Sequence, residues 1–360
     1  MSAPAPRPLP LAAIRDDVRA AAAYPVPDAS GLIKLDAMEN PYPLPPELAQ
    51  QLGQRLSQVA LNRYPPGDPA PLKAKLARCI GLPDGMRLML GNGSDELIHL
   101  LIQACARSDA AVLCPAPSFV MYEVSARLNR CRFVPVALGA AFALDREALL
   151  AAIARERPAV VFIAYPNNPT GNLFDRAAIE AALQAAPGLV VLDEAYLPFA
   201  GDTWLPDLVR YPNLLVLRTL SKLGLAGARF GYLCGAAALI AELEKVRPPY
   251  NVNALTLAAV ELLLDHLAVF EQQAAAIRAE RARLLAALQE MAGVTVFPSA
   301  ANFILLRVAD PAATYGALRA RGILVKNVAP MHTLLAGCLR VTVGTPEEND
   351  AFLSALRASL

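Results

Sequence analysis

The chain of 360 residues carries almost no net charge, with 33 Lys and Arg against 32 Asp and Glu, for +1. That balance leaves no electrostatic footprint for nucleic acid or an anionic membrane surface, and neither is expected as a partner. Long apolar runs are missing as well. Mean hydropathy is +0.37 and 55% of the residues are hydrophobic, yet the runs are short and broken by charge or proline, so no membrane span is expected. The opening stretch, Met1 to Asp17, has too short an apolar segment for a signal peptide. A cytoplasmic location is expected. Six cysteines (Cys79, Cys105, Cys114, Cys131, Cys234, Cys338) lack any Cys-x-x-Cys spacing, which points to reduced, packed thiols. Histidines number three, His99, His266 and His332, and show no metal-ligand spacing. No metal is expected. The absence of a G-x-S-x-G elbow disfavours a Ser-His-Asp hydrolase. The absence of G-x-G-x-x-G and of Gly-Lys-Ser/Thr excludes a dinucleotide site and the phosphate loop of a nucleotide hydrolase.

A chain of this length and apolar content can build two lobes around a large core. Residues 1–27 are rich in Pro and Ala and read as an arm. From 28 to 247 apolar strand runs alternate with helical segments, the βαβ signature of a mostly parallel, doubly wound α/β sheet. From 248 to 360 a helical pattern with a break (Asn253 to Met291) precedes strands at Val294 to Phe297 and Asn302 to Val308. A helix (Pro311 to Arg321), two more strands and a final helix complete a smaller α+β lobe. Thr345, Pro346 and Glu348 have the order of a capping box with proline in the first turn.

Three apolar runs end in chemistry. Val160 to Ala164 leads into Y-P-N-N-P-T-G (Tyr165 to Gly171), Leu189 to Leu192 into D-E-A-Y (Asp193 to Tyr196), and Leu214 to Leu217 into T-L-S-K (Thr219 to Lys222). The carboxyl ends of parallel strands border one crevice, so Asn168, Asp193, Tyr196 and Lys222 are expected to converge. Each has a plain reading alone: Lys222 as a solvated strand end, Asp193 as a helix cap, Asn168 as a turn former. Together they fit pyridoxal 5'-phosphate. A desolvated lysine amine is nucleophilic towards an aldehyde. A carboxylate beside a pyridine nitrogen keeps the ring an electron sink. Asn168 and Tyr196 can donate to the ring's phenolate oxygen. The turn G-N-G-S (Gly91 to Ser94) between a strand run and a helical pattern could cradle a phosphate on free helix amides; an ordinary Ser94-capped helix is the rival reading.

With these motifs the chain resembles the fold type I pyridoxal-phosphate-dependent aminotransferases, class II, and within them the histidinol-phosphate branch. The resemblance runs from about Leu35 to about Leu353. It adds L-D-A-M-E-N-P (Leu35 to Pro41), L-N-R-Y-P-P-G (Leu61 to Gly67), G-N-G-S-D-E-L-I (Gly91 to Ile98) and L-R-V-T-V-G-T-P-E-E (Leu339 to Glu348) to the motifs above. It implies that Lys222 is the catalytic lysine. It also implies that Ser94, Asp95, Thr219, Ser221 and Arg229 hold the cofactor phosphate, that Phe119 stacks on the ring with Tyr122 as neighbour, and that Tyr64 reaches the cofactor phosphate of a second subunit in a homodimer. Lys222 and Arg229 stand seven apart, one position fewer than is usual in the family, so the loop between them must close differently.

Period two in L-R-V-T-V puts Arg340 and Thr342 on one strand face, and an arginine fork suits a carboxylate. The resemblance gives Arg340 the substrate α-carboxylate. It gives the substrate's phosphate to Lys326, where the family usually has arginine, and to Tyr24 of the arm, with Asn40 also at the substrate. Lys326 and Arg340 are expected to hold opposite ends of one molecule. The implied reaction is transamination of L-histidinol phosphate with 2-oxoglutarate, giving imidazole acetol phosphate and glutamate, in histidine biosynthesis. An aromatic amino-acid aminotransferase, a lyase or decarboxylase on the same scaffold, and a cofactor-binding regulatory protein are the alternatives.

Overall fold

The computed structural model describes residues 9–23 and 26–360. The chain falls into two compact units, Met1–Ser30 and Gly31–Leu360. In the first, a single 3-10 turn (Leu11–Ala13) and a short helix (Asp16–Ala20) bury none of their residues. Tyr24, expected at the substrate, lies outside the described residues.

The second unit opens with the short strand β1 (Ile33–Lys34). A seven-stranded sheet follows, made of β2 (Met86–Gly91), β3 (Ala111–Ala116), β4 (Arg132–Ala137), β5 (Val160–Ala164), β6 (Leu189–Asp193), β7 (Leu214–Thr219) and β8 (Gly231–Ala236). Its order is β2-β8-β7-β6-β5-β3-β4. The five strands from β7 to β4 run parallel, and β8 is antiparallel to both β7 and β2. All of β5 is buried and so is nearly all of β6 and β7, because helices cover both faces and two apolar clusters fill the gaps. Strands buried on both faces read as unbroken apolar runs, which is why they were visible in the sequence. Between β3 and β5 the strand order reverses, and in open α/β sheets such a reversal opens a crevice at the carboxyl ends.

The rest of the unit carries a four-stranded antiparallel sheet, β12-β13-β10-β9, from β9 (Thr295–Val296), β10 (Phe303–Arg307), β12 (Lys326–Asn327) and β13 (Cys338–Thr342). The run G-I-L-V-K-N does not form one strand. Its first part, β11 (Ile323–Leu324), pairs in parallel with β1, and after the buried Val325 the chain switches sheets to place β12 beside β13. The expected break in the long helical pattern is a 3-10 turn, Leu264–His266, between helices Ala254–Leu263 and Leu267–Gln289. The capping box of the last helix is formed, with Thr345 N donating to Glu348 Oε2 at 2.9 Å.

Candidate active site

Strand register brings the first two motif ends together. Ala164 lies opposite Asp193, Asp193 lies opposite Leu217, and Tyr165 N donates to Asp193 O at 2.8 Å. These ends border a cavity of about 100 Å³. Its walls include Lys222, Asp193, Asn168, Tyr196, Phe119 and Tyr122, together with Ser94, Asp95, Thr219, Ser221 and Arg229. Eleven of the residues expected at the site therefore meet in one place.

Lys222 leaves β7 through a π-helical turn, Ser221–Leu225, in which Gly224 takes φ +135°. No side chain fits there, since a Cβ would stand 3.0 Å from Asn40 Nδ2 and 3.3 Å from the Phe270 ring. A 3-10 turn, Ala226–Ala228, and a left-handed Arg229 complete the shortened loop and return Arg229 to the cavity wall. Lys222 Nζ donates to Ala37 O at 3.1 Å. Burial, helped by the Arg340 and Arg229 charges and opposed by Glu39 and Asp95, pushes its amine down to about 8. A lysine so placed gives up its proton far more easily than one in water.

Asp193 is held from two sides: Oδ2 accepts from Tyr122 Oη at 2.6 Å and Oδ1 from Ala195 N at 3.1 Å. Burial lifts the carboxyl to about 6 while these two bonds restrain the rise. Tyr122, the neighbour of Phe119 that was also expected among the substrate-binding residues, lines the cavity and braces Asp193. It is fully buried, stacked on Phe162 at 4.7 Å, and its hydroxyl is spent on Asp193. No spacing in the sequence signals a bond between residues 71 positions apart. Phe119 meets Tyr122 edge-on at 5.6 Å, and the Tyr196 ring lies 6.0 Å from Lys222 Nζ.

The two asparagines of the N-N-P-T-G turn do different work. Asn167 is wholly buried and ties the turn together through Pro117 O, Ser118 and Thr170. Asn168 lines the cavity, and its Oδ1 accepts from Arg340 Nη1. Arg340 also donates to Asp36 O at 2.8 Å. Its strand neighbours Leu339 and Val341 pack into an apolar cluster with Ile304, Leu306 and Phe352, so the alternation expected along β13 is present.

At the phosphate end, the helix Ser94–Cys105 starts from Gly93, which carries no capping side chain. The Ser94-capped alternative is therefore not realised, and Ser94 and Asp95, whose amides a helix cannot satisfy internally, line the cavity. Close packing sets the loop: a Cβ on Gly231 would lie 2.7 Å from Ser94 N, and one on Gly93 would lie 2.7 Å from Arg229 Nη2. Thr219 Oγ1 and Ser221 Oγ are 2.8 Å apart, and Arg229 stands 3.6 Å from Asp95.

Other expected residues stand elsewhere. Asn40 is used up structurally: Nδ2 donates to Leu223 O and Gln273 Oε1, both at 2.9 Å, and Oδ1 accepts from Tyr42 N. It braces the lysine loop and offers no donor to a substrate. Tyr64 is 82% exposed and stacks on Tyr250 at 4.7 Å. Lys326 pairs directly with Arg340 across β12 and β13. Their Cβ atoms are then about 5 Å apart on one sheet face. The two cations are neighbours, not the two ends of a clamp.

A wider groove of about 850 Å³ lies over the buried Arg218–Glu194 pair, whose charged atoms meet at 2.9 Å. Size does not make it the reactive site, because that pair is mutually neutralised. The amine able to attack an aldehyde, Lys222, and the carboxyl of Asp193 line the smaller cavity.

A buried amine of lowered pKa, a carboxylate, an aromatic wall and an uncapped helix start beside an arginine fit pyridoxal 5'-phosphate: amine to aldehyde, carboxylate to ring nitrogen, ring face to Phe119, phosphate to the amides. The family model for aminotransferase class I and II matches residues 30–356, and the chain belongs to that family. It is 59% identical to histidinol-phosphate aminotransferase 1 of Ralstonia nicotianae, over 96% of this chain and 94% of that protein. Identity to histidinol-phosphate aminotransferase 1 of Burkholderia lata is 57%, over 96% and 98%. The solved histidinol-phosphate aminotransferase of Sinorhizobium meliloti, in complex with pyridoxal-5'-phosphate, superposes with a TM-score of 0.84 at 25% identity, covering 96% of this chain and 97% of that one. Among the described residues no helix is long and apolar enough to cross a membrane.

Proposed function

We propose that this chain transfers the amino group of L-histidinol phosphate to 2-oxoglutarate, giving imidazole acetol phosphate and glutamate, with pyridoxal 5'-phosphate as cofactor, in histidine biosynthesis. The observation that carries the reaction class is the meeting of Lys222 and Asp193 in one buried cavity whose wall residue Asn168 is bonded to Arg340. Substrate choice rests on the near-full-length identity to proteins of that name. The aromatic aminotransferase reading has no comparable support.

When bound, the cofactor supplies an aldehyde and an electron-poor ring that takes up the electron pair left at the substrate α-carbon. Lys222, with its amine near 8, accepts and returns the α-proton as general base and acid. Asp193, fixed by Tyr122 and Ala195, places a carboxylate at the ring nitrogen. Asn168 and Tyr196 donate to the phenolate oxygen, and Phe119 covers the ring face. Ser94, Asp95, Thr219, Ser221 and Arg229 hold the phosphate. Arg340 takes the anionic group at the α-carbon. In glutamate that group is the carboxylate; in histidinol phosphate a phosphorylated hydroxymethyl group replaces the carboxylate, so the phosphate lies one CH2–O further out. The neighbouring Lys326, paired with Arg340 across the strands, supports this reading by adding a second cation for that extra reach.

In this reading residues 28–247 carry the cofactor and 248–360 supply Arg340 and Lys326. The protein works as a cytoplasmic homodimer, with the exposed Tyr64 reaching the partner's site. A coupled assay with histidinol phosphate, phenylalanine and tyrosine tests it. Histidinol phosphate should turn over fastest and only with an oxo acid present. Faster turnover of phenylalanine would select the aromatic reading, and product without an oxo acid would select a lyase.

A further inference from the structure

Glu96 is an unexpected neighbour for a phosphate cradle. It stands in the first turn of the helix Ser94–Cys105, where the amides and helix dipole attract an anion and a second negative charge repels it. Asp95 beside it has Arg229 at 3.6 Å. The Glu96 carboxylate is used differently, and both of its bonds end on one oxygen. Oε2 accepts from Asn92 N at 2.6 Å and from Asn251 Nδ2 at 2.7 Å.

Asn251 is itself fixed. Its Nδ2 donates also to Leu90 O at 3.1 Å, at the end of β2, and its Oδ1 accepts from Arg247 Nη1 at 2.9 Å. Arg247 in turn donates to Gly67 O at 3.2 Å. The segment after β8 thus grips the loop that follows β2. Within that loop Gly93 N bonds back to Gly91 O at 2.9 Å, and Gly231 has no side chain to push the loop out. With the Asn92 and Gly93 amides committed in this way, the turn holds the next two residues, Ser94 and Asp95, at the cavity wall.

We propose that Glu96, oriented by Asn251, is a positioning residue: it pins the Asn92 amide and so holds the Gly93–Asp95 turn in the conformation that receives the cofactor's phosphate. The proposal rests on reading the cavity as the cofactor site. Its geometry makes a specific demand. Because one oxygen takes both bonds, the single carbonyl oxygen of a glutamine can take them too, without the opposing charge.

The test titrates the full-length chain, freed of cofactor, with pyridoxal 5'-phosphate and separately with pyridoxal, which lacks the phosphate. Glu96→Ala should weaken pyridoxal 5'-phosphate about tenfold, the loss expected for one well-placed hydrogen bond, and leave pyridoxal unchanged. Glu96→Gln should bind pyridoxal 5'-phosphate at least as tightly as the parent. Asn251→Ala should weaken the phosphorylated ligand alone, and it carries the test if Glu96→Ala does not fold. Equal weakening of both ligands would show a merely structural residue and overturn the proposal, as would a glutamine variant as weak as the alanine one. A parent chain that bound pyridoxal as tightly as its phosphate would overturn the cradle reading itself, a separate outcome.

Discussion

Asp193 and Lys222 stand at or just beyond the ends of adjacent parallel strands, whereas Arg340 and Lys326 stand within the ladder of an antiparallel sheet. At the first region the chain reverses direction after every strand, so each motif is short, local and delivered to the same edge. At the second, the relation between the two cations depends on which residue of β12 pairs with which residue of β13. A one-residue slip would send Lys326 to the other face. The first region is held by bonds close to its reactive groups, from Tyr122 and Ala195 to Asp193 and from Lys222 to Ala37 O. The second leans on backbone borrowed from far away, since Arg340 donates to Asp36 O and Thr342 Oγ1 accepts from Met38 N at 3.0 Å.

The largest expected effect strikes the first region. Lys222→Ala should lower turnover by roughly 10³-fold or more, the scale of a lost general base and acid. Borohydride should no longer fix cofactor to the chain, while bound cofactor remains detectable by absorbance. Cofactor trapped covalently on another lysine would break the assignment of this edge.

Asp193→Asn comes next. Losing one preorganised charge should cost roughly 10²-fold in turnover, with cofactor affinity suffering less. Near-normal rates in a cofactor-saturated Asn variant would reduce Asp193 to a strand-end cap.

Smaller effects should separate the two cations of the second region. Arg340→Ala should weaken both glutamate and histidinol phosphate, and Lys326→Ala only histidinol phosphate, each by about 1–3 kcal/mol for an unmade charged partner. Half-reactions followed by cofactor absorbance for each donor measure this. Equal losses for both donors in Lys326→Ala would remove the distinction drawn from the strand register.

A separate effect is on stability. In the cofactor-free chain Lys222 titrates near 8 instead of 10.5, so the unfolded chain holds this proton more tightly. Stability through this group therefore rises between those two values, and the cost of burying the charged amine is full below pH 8. Lys222→Met should melt higher than the parent at pH 7, and the gap should close as pH climbs past about 10. A gap independent of pH would mean the amine is not desolvated as its surroundings imply.

Much of the first region could be read from residue order. Apolar runs ending in Asn168, Asp193 and Lys222 placed three functional groups on one edge, because parallel strands connected by helices share a direction. Tyr122 could not be read this way. Its bond to Asp193 crosses from the helix after β3 to the end of β6, and no local pattern encodes which side chains of two separated elements will touch. The partners of Asn40 were hidden for the same reason: nothing near it in the chain shows that Leu223 O, Gln273 and Tyr42 N will take up its side chain.

The sequence by itself determined the cofactor chemistry, the doubly wound sheet and the identity of Arg340 as a fork on a half-apolar strand, since these follow from local residue types and periods of two and 3.6. Only the tertiary structure decided that Lys326 flanks Arg340, that Val325 marks a change of sheet, that Asn167 ties its turn to Pro117 and Ser118, and that Glu96 braces the Asn92 amide. Each of these is a matter of register or of contact between distant segments. Such contacts are set by how whole elements pack, and the same local sequence is compatible with several outcomes until they do.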